Sequence, residues 1–399
     1  MYLGANIGLA LQTNYAALFV LRCLQSSGSS GTVALGNAVV SDIATSSERG
    51  VYIGYASAGA LLGPAIGPII GGLLSHYLGW RAIFWFLTIF GGVVFVVLLI
   101  FFPETCRPVV GNGSIPAKGL NLSVLNYHHQ RKQEKEGIQV PNQEQLAKTV
   151  RRRPSPIATV RIVFEKEAGL VLTYAGIMFA GYYMVVSGVP SQFAARYGFN
   201  SLQIGLCYIP TGAGSISAAF TQGYLVDWNF RRHARRIGYP IVKGRQRALG
   251  NFPIEKARIQ IALPMIYLAC AATLTYGWVM HSKPPLAAPL VVLFFIGYAN
   301  SASFNIMSTL IVDLHPRDPG TATAANNLVR CLLGAGGTAV VIPLLNAIGS
   351  GWTYTLVAGV WFALSPILWL IIRRGPLWRV EGKAKDASLR GNTQAHANS

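Results

Sequence analysis

Runs of about 20 residues with almost no charge recur along this chain, and that repeat leaves few architectures open. A bilayer core about 30 Å thick takes roughly 20 apolar residues as a helix. Backbone N–H and C=O groups are satisfied there only within helices or closed barrels. Segments of the required length lie at about 15–40, 50–75, 81–102, 168–190, 202–226, 258–280, 286–312, 320–345 and 351–373. The sequence therefore predicts an all-α fold, an integral membrane helical bundle with about nine full transmembrane helices. A shorter apolar piece at 2–12, ended by Thr13-Asn14, reads as the second half of one further span.

Composition agrees. Hydrophobic residues make up 52% and charged residues 12% of the 399, about half the charged share of soluble proteins. That much apolar surface excludes disorder, and so little charge argues against an ordinary soluble enzyme. The net charge of +19 is not spread over a nucleic-acid-binding face. Segments 103–167, 227–258 and 373–399 carry 11, 9 and 6 Lys/Arg, which is 26 of the 33. Two spans separate the first block from the second and four separate the second from the third, so all share one side. The positive-inside rule makes that side cytoplasmic, with both termini on it.

The expected organisation is an incomplete N-terminal bundle (1–102), a basic cytoplasmic central loop (103–167), a six-helix C-terminal bundle (168–373) and a cytoplasmic tail (374–399). Arg151-Arg152-Arg153 in the loop suits anionic lipid or is a solvated topogenic run. The glycosylation triplets at Asn112 and Asn121 fall in the same cytoplasmic loop and read as chance matches. The five cysteines are scattered, and the seven histidines show no metal-ligand spacing. No phosphate-cradling glycine loop or nucleophile elbow is present, so the reading is not an enzyme, with no cofactor and no metal.

Inside the spans, glycine and a few polar groups stand out. Gly54, Gly63, Gly67-Pro68 and Gly71-Gly72 follow the spacing G-x8-G-x3-G-P-x2-G-G. Together with Gly59, the glycines at 63, 67 and 71 recur every fourth residue and line one helix face, where a neighbour approaches closely. Pro64 and Pro68 each remove a helix hydrogen bond and bend the segment. Arg22 and Arg330 lie within spans, and intramembrane charges are functional candidates by default. Arg22 either serves a site or snorkels to an interface. Arg330, with Asn326 one turn before it, faces a wet cavity or an anionic group, or bonds backbone carbonyls. Gln25, Tyr182, Asn305 and the Asn326-Asn327 pair are candidates for lining a substrate path, or for interhelical hydrogen bonds. Asp227 and Arg231 stand four apart at a helix end, in pairing distance. No carboxylate is expected at mid-membrane.

Several of these patterns resemble one family. The glycine–proline helix resembles the antiporter motif in the fifth helix of fungal and bacterial drug:proton antiporters of the major facilitator superfamily. Leu21-Arg22-Cys23-Leu24-Gln25-Ser26-Ser27-Gly28 is similar to the R-x-x-Q-x-x-G motif of their fourth helix, and Gly79-Trp80-Arg81 to the start of the sixth. Gly223-Tyr-Leu-Val-Asp227-Trp-Asn-Phe-Arg231-Arg232 resembles the G-x-x-x-D-x-x-x-R-R motif after the eighth. Ala324 to Arg330 and Gly351-Trp352 look like the fungal multidrug branch.

The resemblance implies the 12-helix major facilitator fold, here without the first two helices and part of the third. It also implies a secondary active transporter exporting small amphiphilic drugs, weak acids or metabolites in exchange for protons, by alternating access around a midplane site. In that family Arg22 stands near the coupling site, and Gly223, Asp227, Arg231 and Arg232 form a conformational latch. The expected partners are a small-molecule substrate, protons and the lipid bilayer, with no nucleic acid, for a monomer in the plasma membrane or the vacuolar membrane. A transport-incompetent membrane protein acting as a binding partner, and a facilitative or symport nutrient carrier, remain the alternatives.

Overall fold

The computed structural model describes residues 1–32, 66–105, 156–238, 252–282, 285–315 and 319–379, with positions 35, 36, 39, 63, 110, 123 and 125–127 between them. Within these residues every regular element is a helix. Gly54, Gly59 and Pro64, most of the central loop and the tail beyond Arg379 lie outside the described residues. The chain divides into two units, Met1–Ala60 with Ile70–Pro154, and Leu61–Ile69 with Ser155–Ser399.

In the first unit, α1 (Tyr2–Leu11) and α2 (Tyr15–Ser30) are separated by a break at Gln12–Asn14. The Asn14 side chain caps α2 by accepting from the Ala16 N–H at 3.0 Å. The two helices run antiparallel at glycine-thin contacts. A Cβ on Gly8 would stand 3.0 Å from the Leu21 side chain, and one on Gly28 would stand 3.0 Å from the Tyr2 nitrogen. Then come α3 (Ile66–Leu78) and α4 (Arg81–Phe101), joined by Gly79 at φ 83°. Leu9, Ala10 and Phe84 form a small core with Leu18 and Leu21 against it. Most of α4 is bare: Ile89, Phe90, Val93, Phe95 and Phe101 are all more than half exposed, as suits a helix faced by lipid.

The second unit holds α5 (Pro156–Val163), α6 (Lys166–Tyr197), α7 (Ser201–Leu206), α8 (Ile209–Ile237), α9 (Ile254–His281), α10 (Ala287–Leu314) and α11 (Pro319–Leu364), extended by a last helix at 366–379. Helix α11 is two helices meeting at Gly349, whose φ of 75° and ψ of 171° suit glycine alone. Its first part runs parallel to α6: Gly176 faces Val329 and Leu333, Gly337 faces Ala180, and Gly188 faces Leu345. The part after Gly349 returns antiparallel, with Tyr354 at Gly188 and Trp361 at Gly181. Trp361 is locked there twice. Its indole N–H donates to the Ile177 carbonyl at 3.1 Å, and its own carbonyl accepts from the Tyr174 hydroxyl at 3.1 Å.

Among the described residues five helices are long and apolar enough to cross a membrane, and several run past the expected span ends, while most of the expected span 50–75 lies outside the described residues. Helix α6 begins at Lys166, α9 at Ile254, and the last helix reaches Arg379. These ends bring charged residues into helix that hydropathy alone leaves outside the spans, Glu167 and Glu255 among them, both buried. The expected span 202–226 is broken instead: Cys207 and Tyr208 interrupt it, and Asn200 opens α7 with a capping box to Gln203.

Helices α8 and α10 touch at backbone distance. A Cβ on Gly214 would clash with the Phe294 carbonyl, and one on Gly297 with the Thr211 carbonyl. Ser215 sits between them, donating to the Gly297 carbonyl at 3.3 Å and accepting from the Ser301 hydroxyl at 2.8 Å. Small residues with hydroxyl cross-links are how apolar helices associate when both face lipid-like surroundings.

Farther along, a buried amide–phenol pair joins α6 to α11, with Gln192 Nε2 donating to the Tyr354 hydroxyl at 2.5 Å. Tyr354→Phe strands the Gln192 N–H in a buried site. The expected cost is about 1–3 kcal/mol, visible as a lower thermal midpoint of the purified protein.

Candidate functional site

Two arginines inside spans organise the polar interior, one in each unit. In the first unit Arg22 Nη1 donates to Gln25 Oε1 at 2.9 Å, one helical turn on. Gln25 Nε2 donates to Asn6 Oδ1 at 2.6 Å, and Asn6 Nδ2 donates to the Tyr2 carbonyl at 3.0 Å. The relay crosses from α2 to α1 and is dry at its far end, with Gln25 buried and Asn6 fully so. The Arg22 guanidinium also lies 5.0 Å from the centroid of Phe84 on α4. A charge inside a span is thus held by an amide and an aromatic face. Asn6 is a member of this polar cluster that sequence reasoning missed, although it is the one amide in the apolar stretch 2–11.

In the second unit Arg330 lies between two rings. Its guanidinium is 4.7 Å from the centroid of Phe179 on α6 and 5.6 Å from that of Phe304 on α10. Gly334, one turn on, gives the Phe179 ring room, since a Cβ there would stand 3.3 Å from its edge. Arg330 Nε is buried without a hydrogen-bond partner. Asn326, 4% exposed, donates to Ser308 at 3.3 Å and leaves its Oδ1 unpartnered. Tyr183 packs on Phe179 at 4.4 Å, and Tyr182 meets Tyr183 edge-on at 5.7 Å. Asn327 and Asn305 are half-buried. Asn300 is buried and bonded to its own helix through Ile296. Among the described residues no carboxylate pairs with Arg22 or Arg330.

The remaining motif residues are spread more widely. Gly63 and Gly67 have open space where a Cβ would go, Gly71 has only Ile83 at 4.0 Å, and Gly72 is buried. Within the second unit, to which Leu61–Ile69 belongs, Pro68 comes close to Gly205, where a Cβ would stand 2.6 Å from the Pro68 carbonyl oxygen. Gly223, Asp227, Arg231 and Arg232 are all exposed. Asp227 and Arg231 make no ion pair here, and Arg232 lies over Trp228 at 5.4 Å.

A bundle of membrane-length apolar helices with polar clusters inside it defines a multi-pass membrane protein. Its family follows from comparison with known proteins. The Major Facilitator Superfamily model matches residues 1–338, and the chain belongs to that family, a family of transporters rather than enzymes. Fungal relatives are similar over nearly the whole chain. The MFS-type transporter phiD of Fungal sp. is 44% identical over 99% of this chain and 60% of its own length. The MFS-type transporter R5 of Phoma sp. is 47% identical over 98% of this chain and 73% of its own, and Citrate exporter 1 of Aspergillus niger is 37% identical over 95% and 72%. The chain thus spans three-fifths of phiD and nearly three-quarters of the other two. The human organic anion transporter MFSD10 (TETRAN) shares the fold, with a TM-score of 0.56 at 18% identity over 92% of this chain and 74% of that one.

Proposed function

We propose that this protein is a secondary active exporter of small amphiphilic weak acids or related metabolites, coupled to protons and working by alternating access between two helix bundles. The observation that carries this reading is Arg330: a guanidinium inside a span, between two aromatic rings, with a buried nitrogen unpartnered and no carboxylate among the described residues to neutralise it. An anion with an apolar body satisfies both the charge and the rings. Arg22, on its amide relay, is a second cation of the same kind. A citrate exporter among the relatives supports an acidic substrate, and the glycine–proline spacing at Gly63, Gly67-Pro68 and Gly71-Gly72 supports antiport over uptake. In this reading both termini are cytoplasmic, the plasma membrane is the site of action, and Asp227 with Arg231 and Arg232 latches one access state.

Cells stripped of their own exporters, loaded with a radiolabelled aromatic carboxylic acid, test it. Expression of the protein is expected to lower retained label several-fold, and a protonophore is expected to abolish the difference. Accumulation of label would instead mark an uptake carrier, and no change in retention a binding partner without transport.

A further inference from the structure

At the end of the second unit that carries its basic residues, two carboxyl groups are buried together. Glu167, in the first turn of α6, is 8% exposed; Glu255, in the first turn of α9, is 0% exposed. Their side chains lie against the same residue of the last helix. The last helix closes over them at Gly375, which is glycine for a reason: a Cβ there would stand 2.8 Å from Glu167 Oε1 and 3.0 Å from Glu255 Cγ. Among the described residues one cation reaches the pair, Arg379, with Nε 3.5 Å from Glu255 Oε1 and Nη2 donating to the Phe252 carbonyl at 2.9 Å.

The hydrogen-bond account does not close with both acids ionised. Glu167 Oε1 and both Glu255 oxygens are buried without a donor, and two carboxylates have no hydrogen to share. The charge account fails as well, because two buried negative charges face one guanidinium. Burying each ion costs several kcal/mol, and like charges side by side disfavour double ionisation.

Among the described residues the other charged groups of this end do not correct the balance. Glu165 adds negative charge and is bonded to His315 Nε2 at 2.8 Å. Arg258 is committed to Asp313 at 2.9 Å, and His233 on α8 faces Gln260 at 2.8 Å. Arg161 on α5, Lys166, Lys256, Arg373 and Arg374 are exposed to the surroundings.

We propose that Glu167 and Glu255 form a proton-binding site: at neutral pH the two carboxyls hold one proton between them, and Arg379 balances the charge that remains. The proton supplies the missing donor between the two side chains and ties the starts of α6 and α9 to the last helix. This site is separate from Arg330 and does not depend on the transport reading. Because the folded state then binds a proton that the unfolded chain has released, stability falls as pH rises above the ordinary carboxyl range and stops falling once the proton has left.

Infrared titration of the full chain in lipid nanodiscs tests it. The wild type is expected to show a protonated-carboxyl C=O band at neutral pH that shifts in D2O and disappears in alkali. Glu167→Gln and Glu255→Gln should each remove the band, since the remaining carboxylate then pairs with Arg379. Between the ordinary carboxyl range and the pH at which the band disappears, the unfolding equilibrium of the wild type should rise about tenfold per pH unit, levelling off once the band is gone. Glu167→Gln, whose amide stands in for the protonated acid, should flatten that slope. No band at neutral pH in the wild type overturns the proposal without any variant. A band that survives both substitutions overturns it too.

Discussion

Arg330→Ala is expected to lower export of a carboxylate substrate by about 30-fold or more while leaving the protein folded. The size follows from the site: removing one partner of a desolvated charged contact typically costs 2–5 kcal/mol, and every 1.4 kcal/mol is about tenfold. Arg330→Lys keeps the charge but loses the planar face that lies on Phe179 and Phe304, so it should retain only part of the activity. Phe179→Leu and Phe304→Leu test the ring contribution, each with a smaller loss concentrated on aromatic substrates. Efflux rates in cells, normalised to the amount of folded protein at the surface, separate these outcomes. Equal rates for Arg330→Ala and the wild type would remove this residue from the transport path.

Gly297→Val should prevent the protein from accumulating as a monodisperse species, with Gly214→Val close behind. At both positions a Cβ would drive into backbone of the partner helix rather than into a side chain that can turn aside. Overpacking of that kind costs about 1–3 kcal/mol or more per site, and here it also separates Ser215 from the Gly297 carbonyl and from Ser301. Gly359→Val is the control, since a Cβ there meets open space. Size-exclusion profiles of a fluorescent fusion in detergent read the difference directly. A Gly297→Val protein as uniform and as abundant as Gly359→Val would show that α8 and α10 do not need this contact.

Much of the fold was legible because lipid imposes one simple rule. Apolar length reports a span whatever the span packs against, so α4, α6, α9 and α10 could be placed from sequence. Helix ends were less legible. Glu167 and Glu255 read as loop acids by composition, and only their burial against Gly375 and Arg379 explains why the helices include them. At the candidate site, Arg22, Gln25, Asn326 and Arg330 stood out as polar groups in apolar runs. Their partners did not: Asn6, Phe84, Phe179 and Phe304 become partners only when separate helices meet, and nothing in local spacing announces that.

The hinge of α11 also bears on how the chain enters the bilayer. With the direction reversed at Gly349 alone, two spans follow one another with almost no polar backbone between them. Thr353 donates back to the Gly349 carbonyl at 2.7 Å, and Arg196 binds Ser350 at 3.3 Å and the His281 carbonyl at 3.1 Å. Such a turn gives the insertion machinery no soluble segment at which to pause, so the two helices are suited to pass into the membrane as a single hairpin. It also gives a protease nothing to cut at that end of the pair.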